Sequence, residues 1–243
     1  MDELSLLYGA PIRINDRISV AQPTISEIAS IGESVYFAGV YTLCATPSDY
    51  KVQLWDNGVD WTEVDDFVLF QTVYKSVDPR VIALLLPGIP LLDMVRAVTR
   101  DSNDMCLVSK DGNIVIDETV YLSIADALRK SNSITKNVDN PGNLTTKKFM
   151  LNKERRRIER ALSEQKKTSS LEPIISSLVN CEHFKYDYST VWNLTLYQLM
   201  DALQQIQRYK RCDYTMHGVY AGTIDPKNLS SDDLSWIATS NKS

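Results

Sequence analysis

Apolar and polar residues alternate along positions 11–20 on either side of Asn15 and Asp16, the period of an extended chain, and predict a short hairpin or bent strand. Pro23 ends that segment. Thr24 with Glu27 three positions later matches a capping box, which predicts a helix running to about Cys44. From there to Pro90 the punctuation recurs: residues 46–49 (Thr-Pro-Ser-Asp) open a short helix ended near Asn57 and Gly58, Thr62 with Asp65 opens another, and Asp78 with Pro79 a third. The pattern then changes to three β-rich runs at 95–99, 105–109 and 113–117, with Asp111 and Gly112 as a tight-turn signal. These predict a small antiparallel sheet, open to extension by the N-terminal hairpin.

Residues 118–130 return to the helical period, with Val120, Ile124 and Leu128 on one face. Residues 131–146 are polar and contain Asn140, Pro141 and Gly142, the composition of a connection. Three helices are expected beyond it: a basic one from Lys147 to about Glu164, a second over 171–179, and a long one beginning near Thr195. In the last, Leu196, Leu199, Met200, Leu203 and Ile206 form a stripe opposite Asp201, Gln204, Gln205 and Arg208. A final short helix over 231–237 would dock Leu234 and Trp236 against it. The expected class is α+β, predominantly helical with a small antiparallel sheet. The expected organisation is an α+β domain over 1–135, a linker over 136–146 and a helical domain over 147–243, without internal repeats.

Composition is ordinary for a folded chain, at 44% hydrophobic and 23% charged residues. The first residues are acidic and lack the basic and apolar runs of a secretory leader, so export is not expected. The apolar stretches around 35–45 and 81–92 fall short of the roughly 20 residues that span a bilayer. With no secretory signal, the four cysteines, Cys44, Cys106, Cys181 and Cys212, are expected to be free and mostly buried. Charge does change the picture. The net charge is -5, yet residues 144–168 hold nine Lys/Arg against three Glu, about +6, which leaves about -11 for the rest.

The basic helix carries Lys147, Lys148, Lys153, Arg155, Arg156, Arg157 and Arg160, with only Phe149, Ile158 and Leu162 as a thin apolar stripe. A solvated, salt-bridged helix is the first reading, a protein-docking surface the second, and nucleic-acid phosphates the third. The acids Asp56, Asp60, Glu63, Asp65 and Asp66 lie beside Trp55 and Trp61. They do not match a calcium loop, and they read as capping residues or as a face turned toward the basic helix. His183 and His217 sit in no zinc pattern, no Gly-x-Ser-x-Gly elbow is present, and the nine glycines form no phosphate loop. No catalytic residue, cofactor or metal is therefore expected. The C-terminal aromatics, Trp192, Tyr209 and Trp236 among them, read first as half-buried packing and second as an interface.

Residues 7–16 (Leu-Tyr-Gly-Ala-Pro-Ile-Arg-Ile-Asn-Asp), 22–28 (Gln-Pro-Thr-Ile-Ser-Glu-Ile) and 31–33 (Ile-Gly-Glu) resemble a family of phage proteins from Gram-positive hosts, encoded in the tail module near the tape-measure gene. The resemblance continues through 43–49, 53–60, 178–180, 218–222 and 233–236, and so covers most of the chain. It implies a non-enzymatic tail-assembly chaperone acting in the host cytoplasm, with the tape-measure and tail-tube proteins as partners. It also leaves open a structural virion component such as a connector or baseplate part. Nucleic acid and membrane are not expected partners, and homo-oligomerisation is left open. The candidate interaction surface comprises the seven cations of the basic helix with Leu196, Leu199, Leu203 and Trp236. A chaperone for a long amphipathic helix needs an apolar groove with charged flanks.

Overall fold

A computed structural model describes residues 3–98, 105–164, 169–230 and 233–237 and is predominantly helical, with two small antiparallel sheets. Helix α1 (Glu3–Tyr8), which the alternation at 11–20 did not announce, precedes the expected hairpin of β1 (Ile12–Arg13) and β2 (Ser19–Val20). The hairpin stands alone and does not extend the second sheet; Arg17 merely donates to the Asn113 carbonyl. That second sheet is β3 (Val95–Val98), β4 (Met105–Val108) and β5 (Val115–Ile116) in the order β3-β4-β5. Leu107 and Ile116 pair across it and face the core. The expected strand residue Thr99 lies outside the described residues.

The single helix expected from Thr24 to Cys44 is two, α2 (Ile25–Ile31) and α3 (Glu33–Leu43). The capping box at Thr24 forms as predicted. The apolar period runs straight through the break, which Gly32 makes at φ 100° and ψ 124°, a conformation that disfavours a side chain. Helices α4 (Lys51–Asp56), α5 (Asp66–Val73) and α6 (Pro79–Leu85) follow. The cap predicted at Thr62 is instead Asp60, whose side chain accepts from the Thr62 N–H at the start of a 3-10 turn, and α5 starts after Asp65. Helix α3 crosses α6 closely because Gly39 has no side chain: a Cβ there would lie 2.7 Å from Val81 Cγ1.

Helix α7 (Glu118–Ser131) buries Tyr121, Ile124, Ala125 and Leu128 against this layer. Tyr121 stacks on Phe70 at 4.3 Å, and Asn132 accepts from the buried Tyr36 hydroxyl at 2.7 Å. The polar connection beyond α7 is pinned to the body: the Thr46 hydroxyl donates to the Asn137 carbonyl, the Asn137 amide to Asp49, and the Asp139 N–H to Ser48. A nearly buried Lys51–Asp139 ion pair and a Lys136–Asp66 pair complete the seam. The Thr-Pro-Ser-Asp stretch at 46–49 thus brackets a strap nearly ninety residues downstream, separations of 88 to 91 residues.

Helix α8 (Leu144–Glu164) begins one turn earlier than the basic residues suggest, because Asn143 Oδ1 accepts from the Thr146 N–H. Helices α9 (Leu171–Val179) and α10 (Leu196–Tyr220) return to the body. Leu171, Ile175, Leu178, Val191, Leu194, Leu196 and Leu199 join the same hydrophobic cluster as Ile25, Tyr36 and Leu128. The Ile25 N–H donates to the Leu194 carbonyl at 2.8 Å, and Gln198 reaches the Leu7 carbonyl at 2.7 Å. The expected last helix lies partly outside the described residues, and positions 233–237 are turn and bend, not helix.

Candidate interaction surfaces on α8 and α10

Helix α8 lies against the acidic segment 56–62, and polar side chains make most of that contact. Lys147 Nζ lies 2.5 Å from Asp60 and 2.8 Å from the Thr62 hydroxyl, 5.8 Å from the centre of the buried Trp61 ring. The ammonium's hydrogen bond, helped by the Thr62 donors, holds the Asp60 carboxyl below the usual carboxylate range. Two turns on, Arg155 pairs with Asp56. Between them Leu151 is 2% exposed, the one fully buried apolar side chain among the described residues of the helix. The inner face is therefore Lys147, Leu151, Glu154, Arg155 and Ile158, at i, i+4, i+7, i+8 and i+11. Phe149 and Leu162, predicted for the apolar stripe, are instead 68% and 70% exposed.

The remaining predicted cations divide in two. Arg157 binds Glu154 through both ends of its guanidinium, which raises its pKa. Lys148, Lys153, Arg156 and Arg160 are exposed and form no ion pair with a described side chain. A cleft of about 830 Å³ opens between α8, the end of α3 and the strap; Asp49, Lys51, Asp139, Lys153, Glu154 and Arg157 give it mixed charge. The acids and cations that the sequence set apart thus meet at this seam. The sequence offers these acids as a face turned toward the basic helix, but at separations of 87 and 99 residues it does not say which acid meets which cation.

Helix α10 is anchored at one end. Leu196 and Leu199 are buried core positions, Leu203 and Ile206 are half-buried, and past them no side chain of the helix is fully buried. At about 1.5 Å per residue, 25 residues make a rod of about 37 Å. The C-terminal segment folds back along the distal half: Arg208 donates to the Ser235 carbonyl, Arg211 pairs with Asp233 at 2.5 Å, and Trp236 meets Tyr209 edge-on at 6.2 Å. Trp236 stays 57% exposed, and Tyr214 and Tyr220 are more exposed still. His183 packs on Tyr209 at 4.8 Å, an aromatic contact.

A separate apolar groove of about 380 Å³ lies between α2 and α9, lined by Ile25, Ile28, Leu171, Ile175 and Trp192. Sequence reading missed its rim residue Glu33, which ties the start of α3 to the start of α9. Its carboxylate accepts from the Ser169 hydroxyl, the Ser170 N–H at 2.7 Å and the Leu171 N–H at 3.2 Å. Burial pushes that carboxyl up, but the hydrogen bonds prevail and hold it below its ordinary value. All four cysteines are free, with Cys44 and Cys106 buried and Cys181 and Cys212 half-buried. Among the described residues no three His, Cys, Asp or Glu side chains are grouped to hold a metal, and no helix is long and apolar enough to cross a membrane.

The molecule is thus a helical α+β protein that presents two long helices, one fixed by its inner face and one by its first turns. Residues 164–241 match a family model described as the YomV second domain, a phage-associated family, which supports a phage origin for the chain. The match takes in α9, α10 and the segment folded back on α10. No curated protein and no solved structure matches the chain.

Proposed function

We propose that this protein is a non-enzymatic bacteriophage tail-assembly factor, a chaperone that binds the tape-measure protein, the tail-tube protein or both in the host cytoplasm. The observation that carries the reading is the mounting of α8 and α10. Each is held firmly along part of its surface and presents the rest to solvent, cationic on α8 and aromatic on α10. Such surfaces suit a long amphipathic client, because binding there needs exchange of side-chain contacts and no chemistry on the client. The phage-associated match over 164–241 supports the phage origin that this reading requires, and the tail role draws on the resemblance of the N-terminal segments to tail-module proteins.

Co-expression of the chain with the tape-measure and tail-tube proteins of its phage, followed by affinity capture, tests the proposal. Recovery of the tape measure or tube protein in soluble complex is expected. Recovery of neither, from cells in which both are expressed, would refute it.

A further inference from the structure

We infer that the outer face of α8 is a docking seam for a second α-helix bearing an acidic stripe, supplied by the client protein; this rests on the tail-assembly reading above. The inner face is occupied by Lys147, Leu151, Glu154, Arg155 and Ile158, which fixes what the opposite face presents. At 100° per residue, Phe149, Lys153, Arg156 and Arg160 fall within a narrow arc directly opposite. Their spacing is i, i+4, i+7 and i+11, the alternating three- and four-residue step of a helix-packing seam. All four are exposed, and the three cations form no ion pair with a described side chain. The neighbouring Arg157 is neutralised by Glu154, and Lys148, also exposed, lies about 100° to one side of the line, so three of the four exposed cations without a described ion-pair partner stand in the row.

The arrangement selects its partner's chemistry. A straight row of cations over about 10 Å, with one aromatic at its N-terminal end, is complementary to a helix carrying carboxylates at the same step and an apolar residue opposite Phe149. Duplex nucleic acid fits less well. It carries about one charge per 1.7 Å, extends well past the row, and would meet the rest of a chain whose net charge is -5. An acidic stripe on one helix meets only the seam. The cations were visible in the sequence, but which of them lack an ion-pair partner among the described residues became legible only once Lys147, Arg155 and Arg157 were assigned their acids.

The test uses the full chain and a synthetic helical peptide with Glu at i, i+3 and i+7 and Leu four residues before the first Glu, the step of Phe149, Lys153, Arg156 and Arg160. A scrambled peptide of the same composition and a duplex of roughly 20 base pairs serve as comparisons, read by fluorescence anisotropy across a salt series. The spaced peptide should bind more tightly than both. Reversal of the row, Lys153→Glu with Arg156→Glu and Arg160→Glu, should weaken it by at least about tenfold. The milder pair Arg156→Gln and Arg160→Gln should give a smaller loss in the same direction, with thermal unfolding unchanged. Tighter binding of the duplex, equal binding of the scrambled peptide, no binding of any probe, or peptide binding indifferent to the reversal would each overturn the inference. Capture of the tape measure separates the two readings. If the reversed variant captures it as well as the unaltered chain does, the seam fails and the assembly role stands. If the unaltered chain captures nothing, the assembly role fails whatever the peptide does.

Discussion

Replacing Lys147 by methionine keeps the alkyl stem over Trp61 and removes the charge that Asp60 and Thr62 receive, so it isolates the ionic part of the α8 seam. The Lys147 and Asp60 side chains are 18% and 25% exposed, against 41% and 53% for Arg155 and Asp56. Hydrogen bonds to charged groups in partly buried surroundings are worth about 1.5–3 kcal/mol, whereas exposed pairs give about 0.2–1 kcal/mol. A double-mutant cycle of Lys147→Met with Asp60→Asn should therefore show a coupling of about 1–3 kcal/mol. The cycle of Arg155→Met with Asp56→Asn should stay below about 1 kcal/mol and fade in molar salt, where the Debye length is about 3 Å. Both are measured by urea unfolding followed through tryptophan fluorescence, with amide exchange of α8 as the local readout. Equal couplings, or the larger one at Arg155, would refute the argument that burial decides which pair holds the helix.

The Asp60 carboxyl is held below its ordinary value of 3.8, so its contribution is present above that pH and is lost as pH falls through the lowered value. Lys147→Met should flatten stability in that acid window and leave its slope near neutrality unchanged, measured by urea midpoints at a series of pH values. Glu33 has the same sign, and Glu33→Gln should weaken protection of the first turn of α9 in hydrogen exchange, a loss that grows smaller as the reference protein is acidified. Gly39→Ala places a Cβ against the branched Val81 side chain and should cost about 1–3 kcal/mol, or a melting-temperature drop of about 2–4 °C per kcal/mol. Gly218→Ala meets the flexible tip of Ile224 and should lower the melting temperature much less, although its nominal approach of 2.5 Å is closer.

How much of this was legible in the sequence depended on the range of the interaction. The capping box at Thr24, the Asp78 and Pro79 start of α6 and the helical stripe of α10 are local devices, and each forms where its residues announce it. Gly32 was missed because the apolar period on both sides is continuous, and only the backbone angle betrays the break. On helix α8 the predicted stripe holds for Ile158 and fails for Phe149 and Leu162, for a different reason. A stripe was sought among Phe149, Ile158 and Leu162, but the buried face is largely charged, and a charged face can be buried only against partners such as Asp56 and Asp60 that lie far off in the chain. Ser131 to Thr146 read as a connection by composition. Nothing local to it shows that Asn137 and Asp139 are bonded to residues 48 and 49.

An assembly chaperone leaves its client once the tail is built, whereas a connector or baseplate part remains. Quantitative mass spectrometry of purified virions, set beside the lysate from which they came, distinguishes the two. The chain is expected in the lysate, in complex with a tail protein, and is expected to be absent from the particles or strongly depleted there. A fixed copy number per virion would contradict the chaperone role and replace it with a structural one.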